Sequence, residues 1–547
     1  MPDSLAKPSA IASVVTGSLI GFSGVPMARP STVVFDDVPP QAASKEPPTA
    51  MPPVVMTKFR KKSLRCILIA PAFVSRFPLS LNLVTVSSLD EIVEDEERIF
   101  LSRVPKSIEM HLQASKSIPG GVPSSWASSR PTPVWVSHGN GAYVWDVDDN
   151  RYIDFHAGYG ANVVGHANPS VVAAVQKRVT QGTHFAQPTS DSIVVAEELS
   201  RRFGLPQWRF CNSGTEATMD AVHLMRVITG RDLIIKVEGS YNGHHDSVAI
   251  SIFRSAEELG PADKPWRTPG AGIPQAIADC VRIVPFNDIN ALSRLLDEHE
   301  GQIAGMIFEP ILMGAGIIVP QPGYLEAVKN LVHQHGALLA FDEVKTGLVI
   351  HQGGATAMYG VVPDIICLAK ALGGGLPCGA IGGTNEVMGA ITDGRYNQVG
   401  TFNGNPLTMA ATRAVLTEVL TDDAYARAND VGAYILKNAI STLQKHRQGV
   451  HGYQFGFKVS IVFSDEPAKN YRDFLEVSTG AMHLNYLMQF NGGVFLAPWG
   501  KSESLTLSVA HTREHGDVFL QNLSQLGKVI EQMSDRTSEV FAAGSFN

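Results

Sequence analysis

From Pro206 onward the chain alternates short apolar runs with helical stretches, and this pattern limits the fold more than any other feature. The runs "DLIIKVEG", "QIAGMIFEPI", "ALLAFDEV" and "PDIICLAK" are separated by segments such as "GYLEAVKNLVHQHG". In that segment Leu325, Val328, Leu331 and Val332 share one helical face, and Gly336 suits the C-terminal cap. Strand–helix–strand alternation predicts a mostly parallel sheet covered by helices on both faces. Ligands of such sheets sit beyond the carboxyl ends of the strands.

The rest of the chain is organised around this block. Acidic "DEIVEDEERIF" at Asp90 predicts a helix that opens the folded part. "GAYVWDVDDNRYIDF" alternates apolar and polar residues around Asp148, Asp149 and Asn150, which predicts a hairpin. After about Asn405 a long helical stretch leads into a mixed region over 411–530, followed by a tail over 531–547. Residues 1–90 hold 12 of the 33 prolines and the acid-free run "TKFRKKSLR", and read as a disordered or targeting extension.

Bulk properties exclude several classes of function. A net charge of −8 does not make the 547-residue molecule as a whole attractive to nucleic acid. The longest apolar stretch, from Cys66, is interrupted by Pro71, Arg76 and Pro78, so no membrane span is expected. The five cysteines are scattered and lack metal-ligand spacing, and adjacent His244 and His245 do not share a face. No metal is expected. Free cysteines suit the cytoplasm, with a mitochondrial presequence in the extension as the alternative.

Four local features fall where the sheet places ligands. In "CNSGTEATMDAVHLMRVITG" a turn containing Ser213, Gly214 and Thr215 runs straight into a helix, whose free N–H groups suit an anion. A plain helix cap would look the same. Asp342, in "FDEV", ends an apolar run, where a charge is costly unless it meets a cation or strong donors. Lys370 ends another run and precedes Gly373, Gly374 and Gly375; a desolvated lysine can form a Schiff base with a carbonyl. Tyr241, in "EGSYNGHHD", is placed to stack on a flat ring. Phosphate, aromatic ring, ring cation and aldehyde describe one ligand, pyridoxal 5'-phosphate, whose ring acts as an electron sink when its nitrogen stays protonated.

The ordered set "NSGTEAT", "SYNGHHD", "FEP", "FDEVKTG", "LAKALGGGLPCGAIGG" and "GTFNGNPLTMAA" resembles the class-III pyridoxal-phosphate aminotransferases. The nearest branch is that of glutamate-1-semialdehyde aminomutase and the β-phenylalanine and D-phenylglycine aminotransferases. The resemblance covers about residues 100–530. It implies an α/β fold of the fold-type-I class, with a large, mostly parallel sheet domain over 166–410. A smaller α+β domain would combine 91–165 with 411–530. It also implies a homodimer with shared active sites. Lys370 would carry the Schiff base and Asp342 the ring nitrogen, with Val344 on the ring face opposite Tyr241. Ser213, Gly214 and Thr215 would hold the phosphate, Thr401 would reach the neighbouring subunit's phosphate, and Glu309 would support the site.

Departures from the branch affect the substrate end. Gly314 replaces an Asn, Asn242 replaces a His and Tyr159 replaces a Trp. The "GGV" stretch is followed in related enzymes by an arginine for the substrate carboxylate. Here "GGVPSSWASSRP" offers Ala127 by direct matching, or Arg130 with a shifted gap. The expected activity is transfer of an amino group from a small amino donor to a keto or aldehyde acceptor. The alternatives are intramolecular transfer on glutamate 1-semialdehyde, amino-acid racemisation and, outside enzymes, a binding protein that keeps the fold.

Overall fold

The structure is a computed structural model, and it describes residues 89–446, 450–464, 466–477, 480–498 and 504–532. The proline-rich extension and the tail after Gln532 lie outside the described residues. Seven strands form the main sheet: β1 Gln207–Cys211, β2 Leu233–Val237, β3 Val281–Val284, β4 Ile303–Phe308, β5 Leu338–Asp342, β6 Ile365–Leu368 and β7 Gly379–Gly383. Their spatial order is β1-β7-β6-β5-β4-β2-β3. Strand β7 is antiparallel to both of its neighbours, and the other pairings are parallel.

The central strands read as unbroken apolar runs because both of their faces are covered. Every residue of β4, β6 and β7 is buried. Alternate side chains serve two separate cores. Ile234, Ile307, Ala340 and Ile365 pack with Ala217, Ala221 and Met225 of the helix Gly214–Thr229. Ile235, Met306, Phe308, Leu339 and Phe341 pack on the opposite face with Leu325 and Val328 of the helix Tyr324–Gln334. That helix ends as its sequence predicts, with Gly336 at φ +64°.

The segments outside the main sheet form two smaller sheets. The predicted hairpin pairs Tyr143–Asp146 with Arg151–Asp154. The four-stranded sheet is completed by Val136–Asn140 and by Val494–Phe495, which runs parallel to Arg151–Asp154. A three-stranded sheet joins Val450–Phe455, Lys458–Phe463 and Leu505–Thr506. Among the described residues, no helix is long and apolar enough to cross a membrane.

The chain leaves β5 through a buried acid. Glu343 is fully buried and accepts from Ala355 N at 2.7 Å, Thr356 N at 2.8 Å, Thr356 Oγ1 at 2.6 Å and Thr346 Oγ1 at 2.8 Å. Burial pushes its pKa up, and these donors pull against that shift. The three bonds from Ala355 and Thr356 anchor the loop after β5 to the short helix Gly354–Tyr359, and the Thr346 bond closes the loop on itself. Removing the carboxylate strands buried donors, each costing about 1–3 kcal/mol. Glu343→Ala should therefore lower unfolding stability by at least ~3 kcal/mol in urea titration; a loss below ~1 kcal/mol would show that the network does not hold this loop.

Candidate active site

A cavity of 460 Å³ opens at the carboxyl-terminal edge of the main sheet. Each parallel strand around it delivers its next residues to that edge. Asn212, Ser213, Gly214 and Thr215 follow β1, Tyr241 and Asn242 follow β2, and Glu309 follows β4. Asp342 ends β5, Val344 lies two residues beyond, and Lys370 lies just past β6. Antiparallel β7 begins at the same edge and brings Gly375, Leu376, Pro377 and Cys378 to the lining.

The anion end is the start of the helix Gly214–Thr229. Its first N–H groups have no acceptor inside the helix. Ser213 caps it by accepting from Glu216 N at 3.2 Å, which leaves the hydroxyl proton for a ligand. Gly214 is required by close packing, since a Cβ there would lie 2.8 Å from Val344 Cγ2. Gly243, at φ +102°, passes equally close to Thr215.

At the other end, Asp342 is only 3% exposed. Asn242 Nδ2 donates to its Oδ2 at 2.8 Å, and Val344 N donates to Oδ1 at 3.1 Å. Burial raises its pKa; the Asn242 and Val344 bonds, then the charges of Lys370 and Lys236, act to lower it. Two neutral donors leave carboxylate lone pairs available for a cationic N–H on the ligand side. A protonated pyridine nitrogen suits this acceptor chemically, and the helix start suits a phosphate.

Glu309 lies beneath Tyr241. Its Oε1 accepts from Tyr241 N and Ser240 Oγ, each at 3.2 Å, and its Oε2 accepts from Met313 N at 3.1 Å. Burial, followed by the Asp342 charge, pushes its pKa up to about 7. Lys370 holds a left-handed backbone at φ +47°. That conformation costs a non-glycine residue about 1 kcal/mol and is found where function fixes a side chain.

Several neighbours were not singled out from sequence. Lys236, in the middle of β2, is fully buried and donates to the carbonyls of Ser240 at 2.8 Å, Ile250 at 3.2 Å and Val237 at 3.5 Å. It ties the Tyr241 turn to the segment leading to Phe253. Burial pulls its pKa down to about 7, with Glu309 and Asp342 opposing. Trp126 and Phe253 line the cavity beside Tyr159, and Asn242 stands out only as a departure from the family pattern. Arg130 is exposed and outside the lining, as is Thr401. Among the described residues no group of three or more His, Cys, Asp or Glu is placed to hold a metal, and burial pulls His245 down to about 4.

The chain is similar to known proteins over most of its length. The family model "Aminotransferase class-III" matches residues 125–524. A glutamate-1-semialdehyde 2,1-aminomutase of Symbiobacterium thermophilum is 36% identical over 426 residues, covering 77% of this chain and 97% of the relative. An omega-transaminase structure from Sphaerobacter thermophilus superposes with a TM-score of 0.74 at 30% identity, covering 78% of this chain and 97% of that one. A glutamate-1-semialdehyde aminomutase from Pseudomonas aeruginosa PAO1 in complex with PMP gives 0.74 at 26% identity, covering 81% and 98%.

The buried acid under Tyr241 carries a pH signature. A carboxyl whose folded pKa is raised contributes stability below its unfolded pKa and loses it as pH rises through the folded value. For Glu309 that window runs from 4.5 to about 7. In cofactor-free protein, Glu309→Gln should therefore gain roughly 3 kcal/mol relative to wild type between pH 4.5 and 7. A constant difference across the window would show that Glu309 ionises normally.

Proposed function

The chain belongs to the class-III aminotransferases, and we propose that it moves an amino group between two separate small molecules, using Lys370 and Asp342. The activity class is pyridoxal-phosphate-dependent amino transfer. The observation that supports the residue assignment is one cavity edged by a buried carboxylate, a lysine and a helix start. Bound pyridoxal 5'-phosphate supplies an aldehyde that takes up the amino group and a ring that accepts electrons from the reacting carbon. The donor H–C–NH2 leaves as C=O and the acceptor C=O leaves as H–C–NH2, so the exchange balances without an external oxidant.

The chain's residues then divide the work. Lys370 would anchor the cofactor through its Nζ, and the same nitrogen would hold and pass the proton that amino transfer moves. Asp342 holds the ring nitrogen in its protonated form by charge. Ser213 Oγ and the N–H groups of Gly214 and Thr215 hold the phosphate. Tyr241 and Val344, which both line the cavity, would flank the ring, and Glu309 fixes Tyr241 through its backbone N–H. We assign Thr401 to the phosphate of a second subunit in a homodimer. The exposed Val399 and Phe402 beside it support a covered surface there. The large domain over 166–410 and the smaller one, built from 91–165 with 411–530, complete this reading. Free cysteines at Cys211, Cys280, Cys367 and Cys378 favour the cytoplasm.

A second reading has its own support. Relatives named glutamate-1-semialdehyde aminomutase match over nearly their whole length, which favours intramolecular transfer. Against it, that substrate carries a carboxylate, and among the described residues no arginine lines the cavity. Turnover with separate amino donor and keto acceptor supports the first reading; efficient isomerisation of glutamate 1-semialdehyde without an acceptor supports the second.

Lys370→Ala should reduce turnover by at least ~100-fold, the low end of what positioned proton transfer contributes. Borohydride reduction of the loaded protein, followed by peptide mapping, should place the cofactor on Lys370. A label on Lys345, which also lines the cavity, would reverse the assignment.

A further inference from the structure

One wall of the cavity is built from aromatic rings. The Trp126 ring lies edge-on to three others, with centroids 5.4 Å from Tyr159, 5.7 Å from Tyr241 and 6.1 Å from Phe253. Tyr241 and Phe253 stack at 5.7 Å with their planes 25° apart. Trp126 nevertheless keeps 37% of its surface exposed. A ring packed on three partners yet open to a cavity offers apolar area that a ligand can cover.

The wall is held in place at a cost. Tyr159 Oη donates to the main-chain oxygen of Trp126 at 2.6 Å. This bond joins the short turn Ser125–Ala127 to a segment with left-handed Ala157 at φ +43° and Tyr159 at φ +59°. Phe253 is also left-handed, at φ +51°. Non-glycine residues in that region persist only where surrounding contacts hold them, and they cluster at ligand sites. Three of them border this one wall.

The polar side of the same lining is sparse in cations. Among the described residues Lys345 and Lys370 are its charged donors, and no arginine lines it. The loop "PSSWASSRP" brings Trp126 to the cavity lining and leaves Arg130 exposed outside it. Among the described residues, this wall therefore offers no bidentate partner for a substrate carboxylate.

We propose that the amino donor is a primary amine whose substituent is aromatic, that this ring packs against Trp126, Tyr159 and Phe253, and that recognition needs no carboxylate. The inference rests on the two-substrate transfer reading and names the donor class for it. Trp126 sets specificity through its side chain, which lines the cavity and also hydrogen-bonds the Tyr241 side chain, while its bond with Tyr159 uses the backbone.

The test uses cofactor-loaded protein with two readouts. The first is the rate at which 1-phenylethylamine, 2-aminobutane, phenylalanine and glutamate convert the bound cofactor's visible absorption. The second is calorimetric binding of 1-phenylethanol, which fills the wall but has no nitrogen to transfer. Covering a phenyl ring should favour 1-phenylethylamine over 2-aminobutane by about 10-fold or more. Trp126→Ala should remove about 10-fold of that preference and weaken 1-phenylethanol by a similar factor, while Trp126→Phe retains most of both. The proposal is overturned if glutamate is the best donor, or if phenylalanine exceeds 1-phenylethylamine 10-fold, the mark of a carboxylate site supplied from elsewhere. It is also overturned if Trp126→Ala weakens every donor alike. Binding of 1-phenylethanol with no conversion by any donor would support the wall and refute the transfer reading.

Discussion

The site is organised around the carboxylate of Asp342, held by Asn242 on one oxygen and by Val344 N on the other. A buried charge with two neutral donors is incompletely compensated. The surrounding architecture reduces that cost in several ways. The strand that ends on Asp342 lies at the centre of the sheet, so its position is fixed by pairing on both sides. Lys236 and Lys370 place positive charge near it, and the rise in the Glu309 pKa keeps a second full negative charge out of the same enclosed region at low pH. A ligand that brings a ring N–H⁺ to the free side of the carboxylate completes the balance, which links cofactor binding to the fold's own electrostatics.

Parallel pairing explains why residues far apart in sequence meet. Ser213, Tyr241, Glu309, Asp342 and Lys370 are spread over more than 150 positions, yet each follows or ends a strand of one sheet. Because those strands point the same way, their carboxyl ends share one edge. The reversed strand β7 adds to this edge from its own beginning, so Gly375 and Cys378 line the cavity beside Lys370. The glycines after Lys370 have a local reason too: Gly374 sits at φ +57° and Gly375 at φ +99°.

The large sheet was readable because its apolar runs and helical spacings are local patterns. The same holds for the helix start at Gly214 and for Asp342 and Lys370, polar residues that end apolar runs. Other parts were not readable, for identifiable reasons. Lys236 interrupts "LIIKV", and its carbonyl partners include Ile250, brought near only by tertiary folding. In "PSSWASSRP" the spacing does not say which side chain meets the cavity; the fold brings Trp126 to the lining and leaves Arg130 outside. Phe253 reaches the cavity through a left-handed backbone that no local signal announces. The substrate wall thus depends on loops, whose conformations are set by long-range contacts rather than by periodicity.

The most direct test of this account is the kinetics of Asp342→Asn with the cofactor bound. Asparagine keeps the shape and can still accept from Val344 N, but it has no charge with which to hold the ring nitrogen protonated. The account predicts a folded, cofactor-loaded variant whose kcat falls by at least ~100-fold, about 3 kcal/mol of transition-state stabilisation. A loaded variant that turns over within a few-fold of wild type would contradict it.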